Sequence, residues 1–317
     1  MPTPLNDVGL LMTATALSIS AVERDTGLSK DTLRVWERRY GFPQPVRDEF
    51  GERAYPADQV ERLRLITRLL SSGQRPGRVV PLGLTELQQL VQEAAPAARQ
   101  TPADDAELHA CLELVTRHEV HTLRRTLNQA ALRLGLARFV TELLSPLNTL
   151  IGDAWLRGEI QVFEEHMYTE SVTAVLRSAI GTITAAAGTS GPRVLLTTIP
   201  QEAHALGLLM AETLLTLEGC DCVSLGVQTP IAEIVQAAVA NQTQIVGLSF
   251  SASLNANHVV HALQELRAKL PSAISIWAGG SHASLRRRDL EGITPVRELD
   301  SIKPLLAQWH LLQVAAA

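Results

Sequence analysis

The spacing of apolar and polar residues changes twice along the chain and divides it into three regions. Up to about residue 94, apolar residues recur at helical spacing in short segments separated by turn residues. From 105 to 187 the helical spacing continues through four segments, at 105–116, 118–134, 136–157 and 160–187. Beyond residue 192, short apolar runs alternate with helical patterns, which is typical of a parallel sheet covered by helices. The pattern predicts an α plus α/β multidomain protein.

The third region predicts a doubly wound, five-stranded parallel sheet. Strands that are buried on both faces read as near-continuous apolar runs, and such runs recur here between turn residues. The predicted strands are 193–199, 222–226, 244–250, 274–278 and 294–297, and the predicted helices are 204–217, 230–241, 256–269, 282–289 and 300–313. Sheets of this kind bind ligands at the carboxyl ends of their strands. We therefore expect a ligand site in the strand-exit loops.

The second region predicts a four-helix bundle, because its segments are joined by short breaks at His118, Gly135 and Gly158. Pro146 lies inside the third segment, where proline removes a backbone N–H and crowds the preceding turn. The third helix should therefore kink at Pro146 or change its boundary there.

The loop after the first strand contains the most informative polar residues, Glu202 and His204, followed by Gly207. A histidine at this edge of the sheet can act as a metal ligand, and a carboxylate two residues earlier can bind its other ring nitrogen. A glycine allows a planar ligand to approach the backbone closely. On spacing alone, a loop histidine with an acidic neighbour by chance explains the same residues.

Two further strand-exit loops consist of small residues, which a buried ligand would need for close approach to the backbone. One contains Ser249 and Ser251, and the other contains Gly279 and Gly280. The glycine pair is a weak signal by itself, since many strand-to-helix turns contain glycine.

The first region predicts two short helices around a glycine turn. Ser18 can cap the first helix, and the second runs from Ser29 to Tyr40 and ends at Gly41. This is the helix-turn-helix pattern, although a generic αα-hairpin fits the fragment taken alone. A loop at 43–55 could follow as a wing, and a longer helix is predicted at 57–70.

Residues 19–73 resemble the winged-helix DNA-binding domain of the MerR regulators. The resemblance is carried by Thr32 to Gly41 and by the triplet Arg53-Ala54-Tyr55. It implies that basic side chains of the second helix face DNA, that the wing adds further contacts, and that Trp36 belongs to the core. The implied DNA-binding residues are Arg34, Arg38, Arg39, Arg47, Arg53 and Tyr55.

The bundle and the sheet together resemble a cobalamin-binding module, in which Glu-x-His-x-x-Gly follows the first strand. The resemblance implies that His204 is the lower axial ligand of cobalt and that Glu202 supports it. Gly207 would allow close approach, Ser249 would contact the nucleotide tail, and the implied tail cavity is completed by Ser251, Gly279 and Gly280. This chain departs from the usual pattern by having Glu in place of Asp, and Phe250-Ser251 after the first serine.

Trp155, followed after nine residues by Glu165 and His166, resembles the upper-face motif of the CarH-type photoreceptors. These are MerR-type repressors that bind adenosylcobalamin; methylcobalamin is the other form that the motif allows. The resemblance implies that Trp155 shields the cobalt–carbon bond and that Glu165 and His166 bind the adenosyl group. It also implies a loaded oligomer, a tetramer, that holds operator DNA and separates into monomers or dimers in light.

Leu156 differs from the best-known photoreceptors of this type, in which a histidine follows the tryptophan. Leucine cannot coordinate a metal, so we expect a light response that is slower, reversible or absent. A light-independent cobalamin-sensing regulator remains an alternative, as do a corrinoid methyl carrier or mutase subunit and a MerR regulator of another ligand. The MerR-like head has no place in a corrinoid carrier or mutase subunit.

The domain boundaries that follow are 1–80 for the DNA-binding head, 81–104 for a helix and linker, 105–188 for the bundle and 189–317 for the sheet domain. The net charge of −5, with 46% hydrophobic and 19% charged residues, indicates a globular protein whose DNA binding depends on local pattern. Three cysteines without metal-ligand spacing suit a reducing compartment. We expect a cytoplasmic regulator without membrane contact and without catalytic turnover.

Overall fold

A computed structural model describes residues 16–48, 50–71, 73–94, 105–183, 191–287 and 290–316. They fall into two compact units, which are treated separately here: nearly all of the first 94 residues form one, and the residues from 105 onward form the other. The predicted linker at 95–104 and the end of the helix predicted to reach residue 187 lie outside the described residues. No helix in the described ranges has the length and apolar character needed to cross a membrane.

In the part of it that the structure describes, the first unit is a small antiparallel sheet with five helices. Its elements in chain order are β1 (Leu17–Ser18), α1 (Ile19–Thr26), α2 (Lys30–Tyr40), β2 (Val46–Arg47), β3 (Arg53–Tyr55), α3 (Ala57–Ser71), α4 (Pro76–Val79) and α5 (Leu84–Ala94). Strand β3 lies between β1 and β2. The strands β2 and β3 form the predicted wing, and the helix expected from residue 81 begins instead at Leu84, after Pro81 and Gly83.

The caps of the two short helices follow directly from the sequence. The side chains of Ser18 and Ser29 accept backbone N–H groups of the first turns, and Gly27 and Gly41 end the helices in the left-handed conformation. Trp36 is buried in the core of this unit, as predicted.

The second unit begins with the helical bundle. Its elements are α6 (Asp105–Thr116), α7 (Val120–Leu134), the short α8 (Leu136–Arg138), a π-helical segment (Phe139–Leu144), α9 (Ser145–Arg157) and α10 (Val162–Thr182). The π-helical segment ends at Leu144, two residues before Pro146, which lies in the first turn of α9. The N–H of Ser145 binds the carbonyl of Val140, five residues earlier, so a wider turn accommodates the proline. The predicted change of boundary at Pro146 is confirmed.

The sheet domain follows within the same unit. Its elements are β4 (Arg193–Thr197), α11 (Leu206–Leu217), β5 (Asp221–Gly226), α12 (Ile231–Ala240), β6 (Ile245–Phe250), α13 (Ala256–Lys269), β7 (Ser275–Gly280), α14 (Ser284–Arg287), β8 (Ile293–Val296), a 3-10 turn (Leu299–Ser301) and α15 (Ile302–Ala316). The five strands are parallel in the order β5-β4-β6-β7-β8.

Alternate residues of the central strands pack into two different cores. Val194 and Leu196 of β4 join the core that also contains the bundle and α11, whereas Leu195 packs with residues of α12 and α13. Helices therefore cover both faces, and the predicted doubly wound fold is confirmed. The strand order reverses at β4, because β5 and β6 pair with its opposite edges. Such a reversal creates the crevice in which this class of sheet binds ligands.

Candidate functional site

The loop between β4 and α11 carries Glu202 and His204 at the point where the strand order reverses. The strand ends at Thr197 and the helix begins at Leu206, two residues later than predicted, so both side chains lie in the loop. The hydroxyl of Thr198 donates to the carbonyl of Glu202 at 2.6 Å, and the N–H of Gln228 donates to the same hydroxyl at 2.8 Å. The loop is thereby attached to the loop after β5.

Glu202 is 1% exposed, and both of its carboxylate oxygens are hydrogen-bonded. Oε1 accepts the backbone N–H of His204 at 3.0 Å and lies 2.6 Å from Nδ1 of the same residue. Oε2 accepts both the N–H and the hydroxyl of Ser251, each at 2.7 Å. The carboxylate therefore joins the β4 loop to the end of β6.

These contacts determine which nitrogen of His204 can bind a ligand. A carboxylate can only accept, so Nδ1 carries the proton and Nε2 is left with its lone pair when the ring is neutral. The hydrogen bond to Glu202 raises the pKa of His204, against the effect of burial, and the Glu165 carboxylate adds to the increase. The His204 side chain is still 64% exposed, so its ring can be reached from outside the loop.

The charge on Glu202 is stabilised by the same arrangement. Burial alone raises the pKa of Glu202, but the hydrogen bonds from His204 and Ser251 outweigh burial, and the pKa is lowered. Glu202 is therefore ionised at neutral pH and holds the Nδ1–H tautomer of His204.

Gly207 and Ser249 lie against each other beside this loop. A Cβ atom at Gly207 would be 3.1 Å from Oγ of Ser249, which is closer than ordinary van der Waals contact. The first turn of α11 therefore approaches the end of β6 closely because residue 207 has no side chain.

The glycine pair at the end of β7 is explained largely by packing within the protein. A Cβ at Gly280, whose φ is +113°, would lie 2.2 Å from the carbonyl oxygen of Phe250, and a Cβ at Gly279 would lie 3.3 Å from Val296. The backbone of Phe250 therefore explains why residue 280 has no side chain, and the lining of a ligand cavity by Gly279 and Gly280 stays a prediction. Ser251, predicted as part of the tail cavity, contacts the carboxylate of Glu202.

Two histidines that the sequence analysis did not single out connect the same loops. Nε2 of His258 lies 3.1 Å from the carbonyl of Pro200, and Nε2 of His282 lies 3.1 Å from the carbonyl of Leu254. His282 is buried, and its Nδ1 accepts the N–H of Ser284. Their positions shortly after strand ends were the only signal in the sequence.

The upper-face residues of the bundle lie at the junction of α9 and α10. Trp155 packs partly buried against the shared core near the end of α9, and Glu165 and His166 lie in the first turns of α10. Glu165 accepts the hydroxyl of Thr169 at 2.7 Å, and His166 is largely exposed. Because Glu165 contributes to the pKa of His204, this end of α10 lies within electrostatic reach of the β4 loop.

The donor set fits a metal that is already held by a macrocycle. No group of three or more His, Cys, Asp or Glu side chains in the described ranges could hold a bare metal ion. A corrinoid ring supplies four nitrogens to its cobalt, so one outward-facing imidazole is sufficient protein ligation. His204, supported by Glu202, offers one exposed imidazole of this kind, and the residues present fit a cobalamin-binding module.

The basic residues of the first unit are only partly where the resemblance predicts. Arg34, Arg38 and Arg39 are exposed on α2. Arg47 is exposed on the wing and donates to the carbonyl of Gly51 at 2.7 Å.

The remaining two wing residues differ from that expectation. Arg53 pairs with Glu37 of α2 at 3.0 Å, which fixes the wing to the helix and raises the pKa of Arg53. Tyr55 has no exposed surface and belongs to the core, so its predicted contact with DNA is wrong. Tyr55 ends the short strand β3, whose last two residues are both buried.

Three protein families match this chain. The MerR HTH family regulatory protein matches residues 17–80, and two families described as B12 binding domain match residues 107–179 and 192–296. The HTH-type transcriptional repressor CarH of Myxococcus xanthus is 30% identical over 265 residues, covering 81% of this chain and 86% of the relative.

This chain belongs to the CarH-type family of MerR regulators with cobalamin-binding domains.

A second relative in this family, the repressor CarA of Myxococcus xanthus, is 27% identical over 94% of this chain and 98% of its own length. Among solved structures, the monomethylamine corrinoid protein of Methanosarcina barkeri covers 65% of this chain and 99% of its own, with a TM-score of 0.53 and 16% identity. That likeness supports the fold of the bundle and sheet domain. The chain is a cobalamin-binding transcriptional repressor of the CarH type.

Proposed function

We propose that this repressor binds adenosylcobalamin between the β4 loop and the α9–α10 end of the bundle, and that light releases it from operator DNA. One observation carries the proposal: the buried Glu202 fixes His204 with Nε2 available, while the Glu165 carboxylate lies within electrostatic reach of that ring. The residues on either side belong to the same compact unit.

Each group of residues has a separate role in the proposal. His204 would ligate cobalt from below, and Gly207 and Ser249 would allow the nucleotide tail to approach the sheet. Trp155 would exclude water from the upper face, and Glu165 and His166 would hydrogen-bond the adenosyl group. When bound, adenosylcobalamin supplies a cobalt–carbon bond that visible light breaks.

Release from DNA would follow from the loss of contacts in the bundle. Without an adenosyl group, Trp155, Glu165 and His166 would lack their partner, and α9 and α10 would be free to shift against the sheet domain. We propose that this shift separates a loaded tetramer into smaller species. Linked DNA-binding heads raise each other's effective concentration on an operator, so separation weakens binding.

The experiment is to load the protein with adenosylcobalamin in the dark and to measure absorption, elution volume and operator binding before and after green light. The proposal predicts a spectral change, a smaller species and a large loss of operator affinity after illumination. An operator affinity that depends on cobalamin but not on light would contradict the light-dependent part.

Leu156 favours a second candidate, a repressor that responds to cobalamin supply without light. Its side chain offers no metal ligand beside Trp155, so nothing at that position could hold the cobalt after the adenosyl group leaves. The two candidates differ in one readout: only the first loses operator affinity when the loaded protein is illuminated at constant cobalamin concentration.

A further inference from the structure

The corner between α6 and α7 touches the start of α10. His118 lies at this corner with φ near +60°, a left-handed conformation that histidine adopts more readily than most residues. Its Nε2 is 2.9 Å from Oε1 of Glu164. Its ring also packs at a tilt on Phe163, with ring centroids 5.3 Å apart.

Glu164 connects that histidine to the helix start. Its side chain is only 10% exposed, and its second oxygen, Oε2, accepts the backbone N–H of Gln161 at 2.6 Å. The side chain of Gln161 accepts a backbone N–H in return, so the first turn of α10 is closed by a capping box. An ionised carboxylate accepts from both sides, so Nε2 of His118 is the donor.

The next two residues along this turn are Glu165 and His166, the proposed contacts of the adenosyl group. A helical turn is stiff, so fixing the carboxylate of Glu164 fixes the directions in which residues 165 and 166 project. His118 lies between α6 and α7, so its contact with Glu164 fixes the position of the first turn of α10 relative to these two helices.

We propose that His118 is a positioning residue that orients the first turn of α10 for the upper ligand of cobalamin. The inference rests on the proposed function, because it assigns His118 a role through Glu165 and His166. His118 contacts neither of them directly in the hydrogen bonds described, and it acts through Glu164. Selectivity between cobalamins with and without an adenosyl group should depend on it, whereas binding through His204 should not.

The first test uses the ligand-free full chain and amide hydrogen exchange. Loss of the Nε2–Glu164 contact in His118→Ala should accelerate exchange in the first turn of α10, around residues 164–167, about tenfold. His118→Gln retains an N–H donor and should restore slow exchange. His121→Ala, an exposed histidine three residues further along, is the matched control and should leave α10 unchanged. Equal exchange in His118→Ala and the parent overturns the inference.

The second test compares affinities for adenosylcobalamin and hydroxocobalamin in the dark. His118→Ala should weaken adenosylcobalamin binding about tenfold, in the range seen for residues that orient ligands indirectly, and should leave hydroxocobalamin binding unchanged. His118→Gln should regain most of the preference. An equal loss for both cobalamins indicates a merely structural role and overturns the inference.

Trp155→Ala distinguishes failure of the inference from failure of the proposed function. If Trp155→Ala loses the preference for adenosylcobalamin and His118→Ala keeps it, the proposed site stands and the inference about His118 is wrong. If Trp155→Ala also keeps the preference for adenosylcobalamin, the adenosyl group does not bind where we propose. The proposed function and the inference about His118 are then both wrong.

Discussion

At the scale of single residues, the carboxylate of Glu202 decides what His204 can do. The motif Glu-x-His indicated a ligand and its support, but the sequence did not indicate the two hydrogen bonds from Ser251. Those bonds join residues 49 positions apart, and only the pairing of β4 with β6 brings them together. Tyr55 was misassigned because a motif identifies residue types and not the direction in which a side chain faces.

The hydroxyl of Ser251 should contribute measurably to the site. Ser251→Ala removes one hydrogen bond to the buried carboxylate and should reduce the free energy of unfolding by about 1–2 kcal/mol, because the acceptor is charged. Cobalamin affinity should fall several-fold as Glu202 loses support. Ser224→Ala, on the exposed edge strand β5, is the control. Unchanged stability and affinity in Ser251→Ala, measured by denaturant unfolding and by cobalamin titration, would argue against this role.

The ion pair between Glu202 and His204 should make ligand-free stability depend on pH in a defined way. The lowered pKa of Glu202 contributes stability above its unfolded value near 4.5, which is lost as pH falls through the folded pKa. The raised pKa of His204 contributes stability below its unfolded value near 6.5, which is lost as pH rises through the folded pKa. The pair should therefore stabilise the protein most between about pH 4.5 and 6.5.

His204→Ala tests this dependence in the ligand-free protein. The difference in unfolding free energy from the parent should be largest near pH 5.5 and should shrink toward pH 8 and pH 3.5. Its size should stay below about 1 kcal/mol, since the imidazole is more than half exposed and solvent screens the pair. A difference that stays constant across this range would contradict the ion pair.

At the scale of elements, apolar runs predicted all five strands of the parallel sheet. Strands that are buried on both faces consist largely of apolar residues, so their sequence pattern is easy to identify. The helix boundaries beside the site were less predictable: α11 begins at Leu206, and the helix expected at 282–289 is described only as the short α14. The π-helical segment before Pro146 also has no pattern of its own. Pro146 predicted an irregularity there, but the packing of the bundle determined that it is a π-helical segment.

Gly280 provides a test of how tightly the strand ends are packed. Gly280→Ala places a Cβ 2.2 Å from the Phe250 carbonyl oxygen, so backbone must move, and the free energy of unfolding should fall by about 3 kcal/mol or more. Gly41→Ala is the control, because Gly41 also has positive φ, in the left-handed helical region, but open space around it, and should cost only about 1–2 kcal/mol. Equal losses in chemical denaturation would show that the contact with Phe250 is unimportant.

At the scale of the whole molecule, separate compact units carry the proposed DNA-binding residues and the proposed cobalamin site. Composition predicted neither role, since the net charge is −5 and the basic residues of α2 and the wing are only a small part of the 28 lysines and arginines in the chain. Motifs in both units were needed to predict a repressor controlled by a cofactor. The change in the spacing of apolar residues along the chain predicted the order of its regions.

Substitutions in α2 should therefore separate DNA binding from cofactor binding. Arg38→Ala should weaken operator binding and, if it removes one phosphate contact, reduce the slope of log affinity against log salt by about 1. Adenosylcobalamin affinity should not change, because the site lies in the other unit. Arg75→Ala, exposed in the first unit but outside α2, serves as the control. A loss of cobalamin binding in Arg38→Ala would contradict this separation.

The most direct measurement is a dark titration of adenosylcobalamin into the full chain and its His204→Ala variant, followed by visible absorption. The account predicts that the parent takes up one cobalamin per chain with a spectrum typical of histidine ligation. The variant should bind at least tenfold more weakly and without that spectrum. Equal affinity and equal spectra in the two proteins, or no uptake by the parent, would contradict the assignment of His204 as the cobalt ligand.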